Sequence, residues 1–334
     1  MPQILEEMHR IIPSERIHFA WTDDVGTIVN AYFEKPDPAV LGWLSHNQQR
    51  FEEEIGYSVR QAILFGKLTG NFRWPFRKGA EATESYERMF RALNIQYCID
   101  GVLRDRDRPL GQIVLFRQPE DGDFSGEEEG VLARTLPYIA HAISSPVKTP
   151  EAFVETGDSG LMVFDATGKV SYQSRLAKEL CVYALHERIP VGQDTGLDSR
   201  AVEAGLQGLF KQVLENFSDS DAVHSPPAWT LKNKWGEFQL RAYALQAAAG
   251  TANSYGVMVE KKIPAEVRML RKIKEMPLSN KQREVCFHLA RGVSTDEVGA
   301  MLGISATTLK EHTQAIYRKL SINKREDLIR LVLS

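Results

Sequence analysis

Between Ser305 and Leu320 the chain carries, at helical spacing, side chains suited to a nucleic-acid duplex. Thr307, Thr308, Lys310, Glu311, Gln314 and Arg318, with Lys319 near the end of the run, offer hydroxyls and cations for phosphate oxygens and amide or charged tips for base edges. Leu309, Ile316 and Leu320 fall on the other side, so the stretch reads as a helix with one buried stripe and one free face. A merely solvated helix face would carry many of the same residue types, and charge separates the two readings. From Pro264 to Ser334 there are 13 Lys/Arg against 8 Asp/Glu; with a chain total of −3, this segment carries +5 and everything before it −8. A basic tail on an acidic body suits a nucleic-acid partner.

Such a face must be held by neighbouring elements, and the flanking sequence is punctuated accordingly. Ser279 with Gln282, Ser294 with Glu297, and Asn323 with Glu326 each have the capping-box spacing that satisfies backbone N–H groups at a helix start. Ser305 adds a simple cap before the long helix. Val285 and Leu289 share a face of the first block, Val298, Met301 and Leu302 of the second, and Leu328, Ile329 and Val332 of the last. Leu302-Gly303-Ile304-Ser305 joins the second block to the third through a permissive Gly, with Ile304 free to tuck inward. Four short helices with a helix-turn-helix at their centre are expected.

The stretch LSNKQREVCFHLARGVSTDEVGAMLGISATTLKEHTQAIYRKLSINKREDLI resembles the LuxR-type (NarL/FixJ-like) DNA-binding domain. Leu278, Val285, Gly292, Glu297, Leu302, Ser305, Thr308, Lys310, His312, Ile316, Lys319 and Leu320 carry the likeness, over about the last sixth of the chain. The resemblance implies a third helix in the major groove, with Ser305, Thr308, Lys310 and Lys319 on the backbone and Lys310, Glu311 and Gln314 facing bases. Thr295, Thr307, Arg318 and Lys324 complete the expected contact set. Gln282, Gly299 and Lys324 stand where the family usually has Glu, Ala and Arg, and Glu311 and Gln314 replace more neutral or basic residues. The operator sequence is therefore not inherited with the fold. Double-stranded DNA is the expected partner. A homodimer is expected to set two recognition helices ~34 Å apart on a two-fold site.

At 334 residues, with 43% hydrophobic and 25% charged content, the chain suits a soluble protein of two or three domains. The first residues lack a secretory apolar core, and no run approaches a membrane span. Cys98, Cys181 and Cys286 lie far apart, without pairing or metal spacing. A cytoplasmic protein with no metal site and no membrane partner is expected. Nucleophile elbow, P-loop, His-rich metal motif and Rossmann fingerprint are all missing from the sequence, so it reads as a non-enzyme. A phosphorylated receiver would need an Asp at the end of a central apolar strand, and an acyl-homoserine-lactone receptor an aromatic/Asp-Pro pattern; neither is found.

Residues 1–145 read as helix, then strands at Arg16–Trp21 and Gly26–Phe33 around a Thr-Asp-Asp-Val turn. Helical text follows at Asp37–Glu54 and Ala80–Leu93, then strands at Ile95–Leu103 and Leu110–Phe116. A closing helix starts at Ser125 and carries Leu132, Leu136, Ile139 and Ile143 on one stripe, with a kink or two abutting helices expected at Pro137. The last two strands and closing helix resemble a GAF-type sensor domain. That family implies a small-molecule pocket over the sheet, for which Trp21, Phe33, Trp43, Trp74, Phe76, Tyr97 and Cys98 are the candidate lining; taken one by one, each is more often plain core.

The Pro/Ser stretch 144–150 marks a boundary. Beyond it, residues 150–262 show a hairpin at Gly160–Phe164 and Lys169–Tyr172, helices at Ser174–Tyr183 and Ala201–Phe217, and strands at Trp229–Lys232, Gly236–Leu245 and Tyr255–Glu260. GLMVFDATGKVSYQSRLAKELC resembles the start of a PAS domain, a family that can hold haem, flavin or metabolites. His186 and His224 are lone histidines in polar surroundings and Cys181 lies on an apolar stripe, so no cofactor is expected. Residues 263–276 read as a linker helix striped by Val267, Leu270, Ile273 and Met276, and residues 277–334 as the DNA-binding domain. The expected fold is α+β, with two antiparallel-sheet sensor domains followed by an all-α four-helix domain. The expected function is a sequence-specific transcription regulator answering a small-molecule effector or a partner. The alternatives are a protein-interaction scaffold with degenerate sensors, or an enzyme with a DNA-binding appendage.

Overall fold

A computed structural model of the chain describes residues 1–64, 69–73, 77–144, 152–189, 199–218, 226–246 and 253–333. Two compact units result: residues 1–147 with 159–260, and residues 148–158 with 261–334. The architecture is α+β, with two antiparallel-type five-stranded sheets preceding a helical cluster.

In the first unit, helix α1 (Pro2–Ile11) precedes a sheet built from β1 (Arg16–Thr22), β2 (Ile28–Phe33), β3 (Thr69–Arg73), β4 (Tyr97–Asp105) and β5 (Arg108–Arg117), in the order β2-β1-β5-β4-β3. The β1–β2 hairpin closes on Asp23, whose carboxylate accepts from the backbone N–H of Val25 and Thr27 at 3.1 and 2.8 Å. Strand alternation sends Ile17, Phe19, Ile99, Leu103, Ile113 and Leu115 into a fully buried core. Helix α4 (Gly126–Ser144) lies over Gly101, where a Cβ would approach a Leu136 methyl to 2.7 Å, so a larger residue there would force that side chain to move. Ser125 and Glu128 cap α4 reciprocally, Glu128 accepting from the Ser125 N–H at 2.8 Å and Ser125 Oγ from the Glu128 N–H at 3.2 Å. Two abutting helices are not formed at Pro137: α4 runs through it as one helix. Pro137 is on the exposed side, where water can meet the carbonyl that loses its N–H. The break falls instead in α2 (Pro38–Ile55), at Asn47, whose Nδ2 donates to the Trp43 carbonyl at 2.8 Å.

Three features escaped the sequence reading. Helix α3 (Val59–Leu64) and edge strand β3 lie where no element was read, and the helical text at 80–93 divides into a short turn at Ala80–Ala82 and a π-helix at Tyr86–Arg91.

The second sheet comprises β6 (Phe153–Phe164), β7 (Val170–Gln173), β8 (Ala228–Asn233), β9 (Gly236–Gln246) and β10 (Asn253–Pro264), in the order β7-β6-β10-β9-β8. Helices α5 (Arg175–Leu185), capped by Ser174, and α6 (Ser199–Ser218) accompany it. Within the first unit the two sheet regions share one apolar core. Trp235, between β8 and β9, is 2% exposed and packs its ring 6.0 Å from Trp21, 5.5 Å from Tyr32 and 5.3 Å from Tyr183. Tyr183 Oη donates to the Phe33 carbonyl and accepts from the Phe33 N–H at 3.1 Å. Ile189 bonds the outer edge of β2 twice, its N–H to Asn30 Oδ1 at 2.9 Å and its carbonyl from the Ala31 N–H at 3.0 Å. An edge strand that would otherwise offer free backbone groups is thereby covered.

In the second unit, helices α7 (Ala265–Glu275), α8 (Asn280–Ala290), α9 (Thr295–Leu302), α10 (Ala306–Leu320) and α11 (Arg325–Leu333) surround a separate apolar cluster. Helix α7 contributes to that cluster through Met269, Ile273 and Met276, while Leu270 is 50% exposed. The i, i+3, i+6 stripe read from Val267 drifts around the helix, whereas Met269 and Ile273, four apart, stay on one face.

Candidate nucleic-acid interface and candidate ligand cavity

Helices α8 and α9 open with complete capping boxes. Ser279 and Gln282 exchange bonds at 3.3 and 3.1 Å, and Ser294 and Glu297 at 3.3 and 3.1 Å. The Ser294 bonds hold the Glu297 carboxyl below its ordinary pKa. Gly303, at φ +61°, ends α9 in the left-handed conformation, and Ser305 immediately starts α10 by accepting from the Thr308 N–H at 3.1 Å. The third expected box is not formed: α11 begins at Arg325, one residue later than an Asn323 cap requires. Arg325 instead reaches back to the C-terminal end of α8, donating to the Leu289 and Val293 carbonyls at 2.8 and 2.6 Å. A guanidinium on these carbonyls, at and just past the end of α8, favours a start at Arg325.

The result is a long α10 pinned on one side by buried Leu309 and Ile316. On the other side Thr307, Lys310, Glu311, Gln314, Arg318 and Lys319 are exposed and Thr308 is partly so. Thr295 at the start of α9, Ser305 and Lys324 are exposed as well. Thr308 Oγ1 is bonded to Ser305 Oγ at 2.9 Å, and Lys319 Nζ donates to Gln282 Oε1 at 2.9 Å. The remaining exposed α10 side chains set two cations, a hydroxyl, a carboxylate and an amide along one helix face. That array can meet phosphates and base edges together.

In the first unit, the face of the first sheet opposite α4 lines a cavity of about 150 Å³ with α2, α3 and the π-helix. Phe33, Phe51, Phe90 and Phe116 supply aromatic walls, and Ile55 and Ile95 aliphatic ones. Polar groups converge from the strands. Asp100 on β4, 3% exposed, accepts from Tyr57 Oη at 2.7 Å and from Gln112 Nε2 of β5, and Gln112 also donates to the Tyr57 hydroxyl. His18 on β1 stands between Phe33 and Phe116, ring centroids 4.6 and 4.8 Å away. Burial, reinforced by the Arg16 charge, pushes its pKa down to about 3, so the imidazole is neutral.

Of the expected lining residues, the structure brings Phe33 and Cys98 to this cavity. Trp21 packs instead on Phe19 and Trp235, and Trp43 and Tyr97 lie partly buried against the core. Trp74 and Phe76 fall outside the described residues. The three cysteines are buried free thiols; burial pushes Cys181 and Cys286 up to about 12 and raises Cys98 as well, which suits packing rather than reactivity.

A sequence profile of the family described as "Bacterial regulatory proteins, luxR family" matches residues 276–332. Those residues are a LuxR-family domain. YhjB of Escherichia coli (strain K12), described as an HTH-type transcriptional regulator, is 44% identical over 48 residues, which is 14% of this chain and 24% of YhjB. The chain thus spans about a quarter of that curated relative's length. Among solved structures, the Vibrio cholerae VqmA–ligand–DNA complex matches at 14% identity over 54% of this chain and 83% of that one, with a TM-score of 0.24. The E. coli DhaR(N)–DhaL complex matches at 11% identity over 77% and 83%, with a TM-score of 0.24. At such TM-scores the likeness carries no argument. Among the described residues, no helix is long and apolar enough to cross a membrane.

The departures within the LuxR-type domain acquire physical content. Gln282 serves the α8 cap as Glu would, because the cap needs only an acceptor oxygen. At Gly299 a Cβ would lie 3.2 Å from the Ile304 carbonyl, so the turn packs closer to α9 than Ala admits without a small shift. The sequence reading missed the polar side of the cavity, including His18. The available signal was polarity within buried strands: Asp100 in Tyr97–Leu103 and Gln112 in Leu110–Phe116 interrupt otherwise apolar text.

Proposed function

We propose that the chain is a sequence-specific DNA-binding transcription regulator, acting in the cytoplasm as a homodimer, without catalysis, and governed by a sensory first unit. One observation carries this reading: in a LuxR-family domain, the α10 face opposite Leu309 and Ile316 is exposed and presents Thr307, Lys310, Gln314, Arg318 and Lys319 together. Ser305, Thr308, Lys310 and Lys319 hold phosphates, Lys310, Glu311 and Gln314 read base edges, and Thr295, Thr307, Arg318 and Lys324 extend the contact. Two such helices related by a two-fold axis address half-sites about one helical turn apart.

Electrophoretic mobility on promoter fragments, titrated against salt, tests it. Lys310→Ala is expected to weaken binding about tenfold or more and to lower the salt slope by about 1, the signature of one lost phosphate contact. Gln314→Ala is expected to cost about 1–3 kcal/mol on the best site and little on others. Affinity indifferent to both substitutions at every sequence would end the regulator reading.

A further inference from the structure

We infer that a small pocket of the first unit, at Arg16, binds a singly charged carboxylate, its two oxygens on the Arg16 guanidinium and its carbon end against Phe33, Val40 and Leu41. The site belongs to the first unit alone and owes nothing to the DNA-binding reading.

Arg16 opens β1 and shares a strand face with His18, two residues on. It borders a cavity of about 20 Å³ between β1, the end of β2, the first turns of α2, and the π-helix with the residues after it. This is the β2–β1 side of the sheet, three strands from β3. Arg16 is 7% exposed, and its Nε is buried with no hydrogen-bond partner among the described residues. Among those residues the rest of the guanidinium has no hydrogen bond or ion pair either. Burial lowers its pKa, yet a guanidinium keeps its proton, so the charge stays. A buried cation without a partner is costly, and a ligand that supplies the partner offsets that cost.

The neighbouring charges are already engaged. Lys35 Nζ donates to Glu15, at 2.6 Å to Oε1 and 3.1 Å to the carbonyl. Asp37 turns its carboxylate onto the start of α2, accepting from the N–H of Ala39 at 2.9 Å and of Val40 at 3.4 Å. His18 is neutral, its pKa pushed down to about 3. Glu15, Asp37 and Glu179 reach Arg16 only through their fields, and Arg175 opposes them. Among the described residues, one positive charge is therefore left for one negative charge. Sulfate or a phosphate dianion would bring a second charge beside Glu15 and Asp37 with nothing to meet it.

Shape selects the class of anion. A planar guanidinium offers parallel N–H bonds along each edge, and a carboxylate meets two of them at once, which a spherical halide cannot. The unpaired Nε lies on such an edge. Size limits the rest of the molecule: about 20 Å³ exceeds what one water needs and falls far short of a ring. Phe33, Val40, Leu41, Met89 and Leu93 make the wall beyond the charge apolar, so a short hydrocarbon end is favoured over a hydroxylated one.

The test titrates the full chain, in dilute buffer free of other carboxylates and halides, with acetate, propionate, chloride and sulfate at equal ionic strength. Calorimetry is expected to show acetate and propionate binding about tenfold or more tightly than chloride, and sulfate not binding. Thermal melts are expected to rise with acetate and not with sulfate. Arg16→Met keeps the length of the side chain without its charge, and is expected to abolish both acetate binding and the acetate-dependent rise in melting temperature. Arg16→Lys keeps the charge without the planar edge, and is expected to weaken acetate about tenfold. Should Arg16→Met fail to fold, the ranking of the four anions and the loss in Arg16→Lys still decide. Neither carboxylate binding, chloride or sulfate binding as tightly as acetate, or acetate binding unchanged in the Arg16 variants would each overturn the inference.

Discussion

The two units are specified over different distances along the chain. In the second, each turn is settled by residues three or four apart: Ser279 with Gln282, Ser294 with Glu297, Ser305 with Thr308. In the first, the decisive contacts join Phe33 to Tyr183 and Trp21 to Trp235, residues some 150 or more positions apart. Local bonds form at small loop-closure cost and leave a spacing that can be read. Distant ones carry a higher ordering cost and leave no mark in the sequence between them.

The largest expected effect tests whether the first unit melts as one body. Trp235→Ala removes a ring packed against both sheet regions and is expected to cost about 3–5 kcal/mol. Calorimetry should show one transition lowered for the whole first unit while that of the LuxR-type domain stays in place. Separate shifts for the two sheet regions would break the comparison. A smaller effect is expected from Ser294→Ala, at about 1 kcal/mol, confined to the second unit and visible as faster amide exchange in α9. The smallest is Lys319→Met. Its bond to Gln282 is exposed, so stability should change by less than about 0.5 kcal/mol in urea titration while the salt slope of DNA binding drops by about 1. A stability loss as large as that of Ser294→Ala would make Lys319 a structural residue.

That contrast accounts for what could be read beforehand. The hairpin strands, α5, α6 and the helices from α8 to α10 emerged from alternation, periodicity and caps. The α11 start was misplaced because Arg325 answers to the distant carbonyls of Leu289 and Val293 rather than to its own neighbours. The text from Ala80 to Leu93 has helical composition but becomes a short turn and a π-helix, its Phe90 buried with Ile55 and Ile95. The exposed α10 face was legible from residue types alone. The polar side of the cavity was not, because Asp100, Gln112 and His18 come from three strands and Tyr57 from the loop between α2 and α3, and their meeting depends on the sheet order β2-β1-β5-β4-β3.

The Tyr183 phenol holds both the N–H and the carbonyl of Phe33, and the ring of that same Phe33 forms part of the cavity wall. The Phe33 ring can turn about its own side-chain bonds, but the Phe33 backbone cannot shift without disturbing its two bonds to α5. The phenol thereby fastens the outer strand of the first sheet to the helix that accompanies the second.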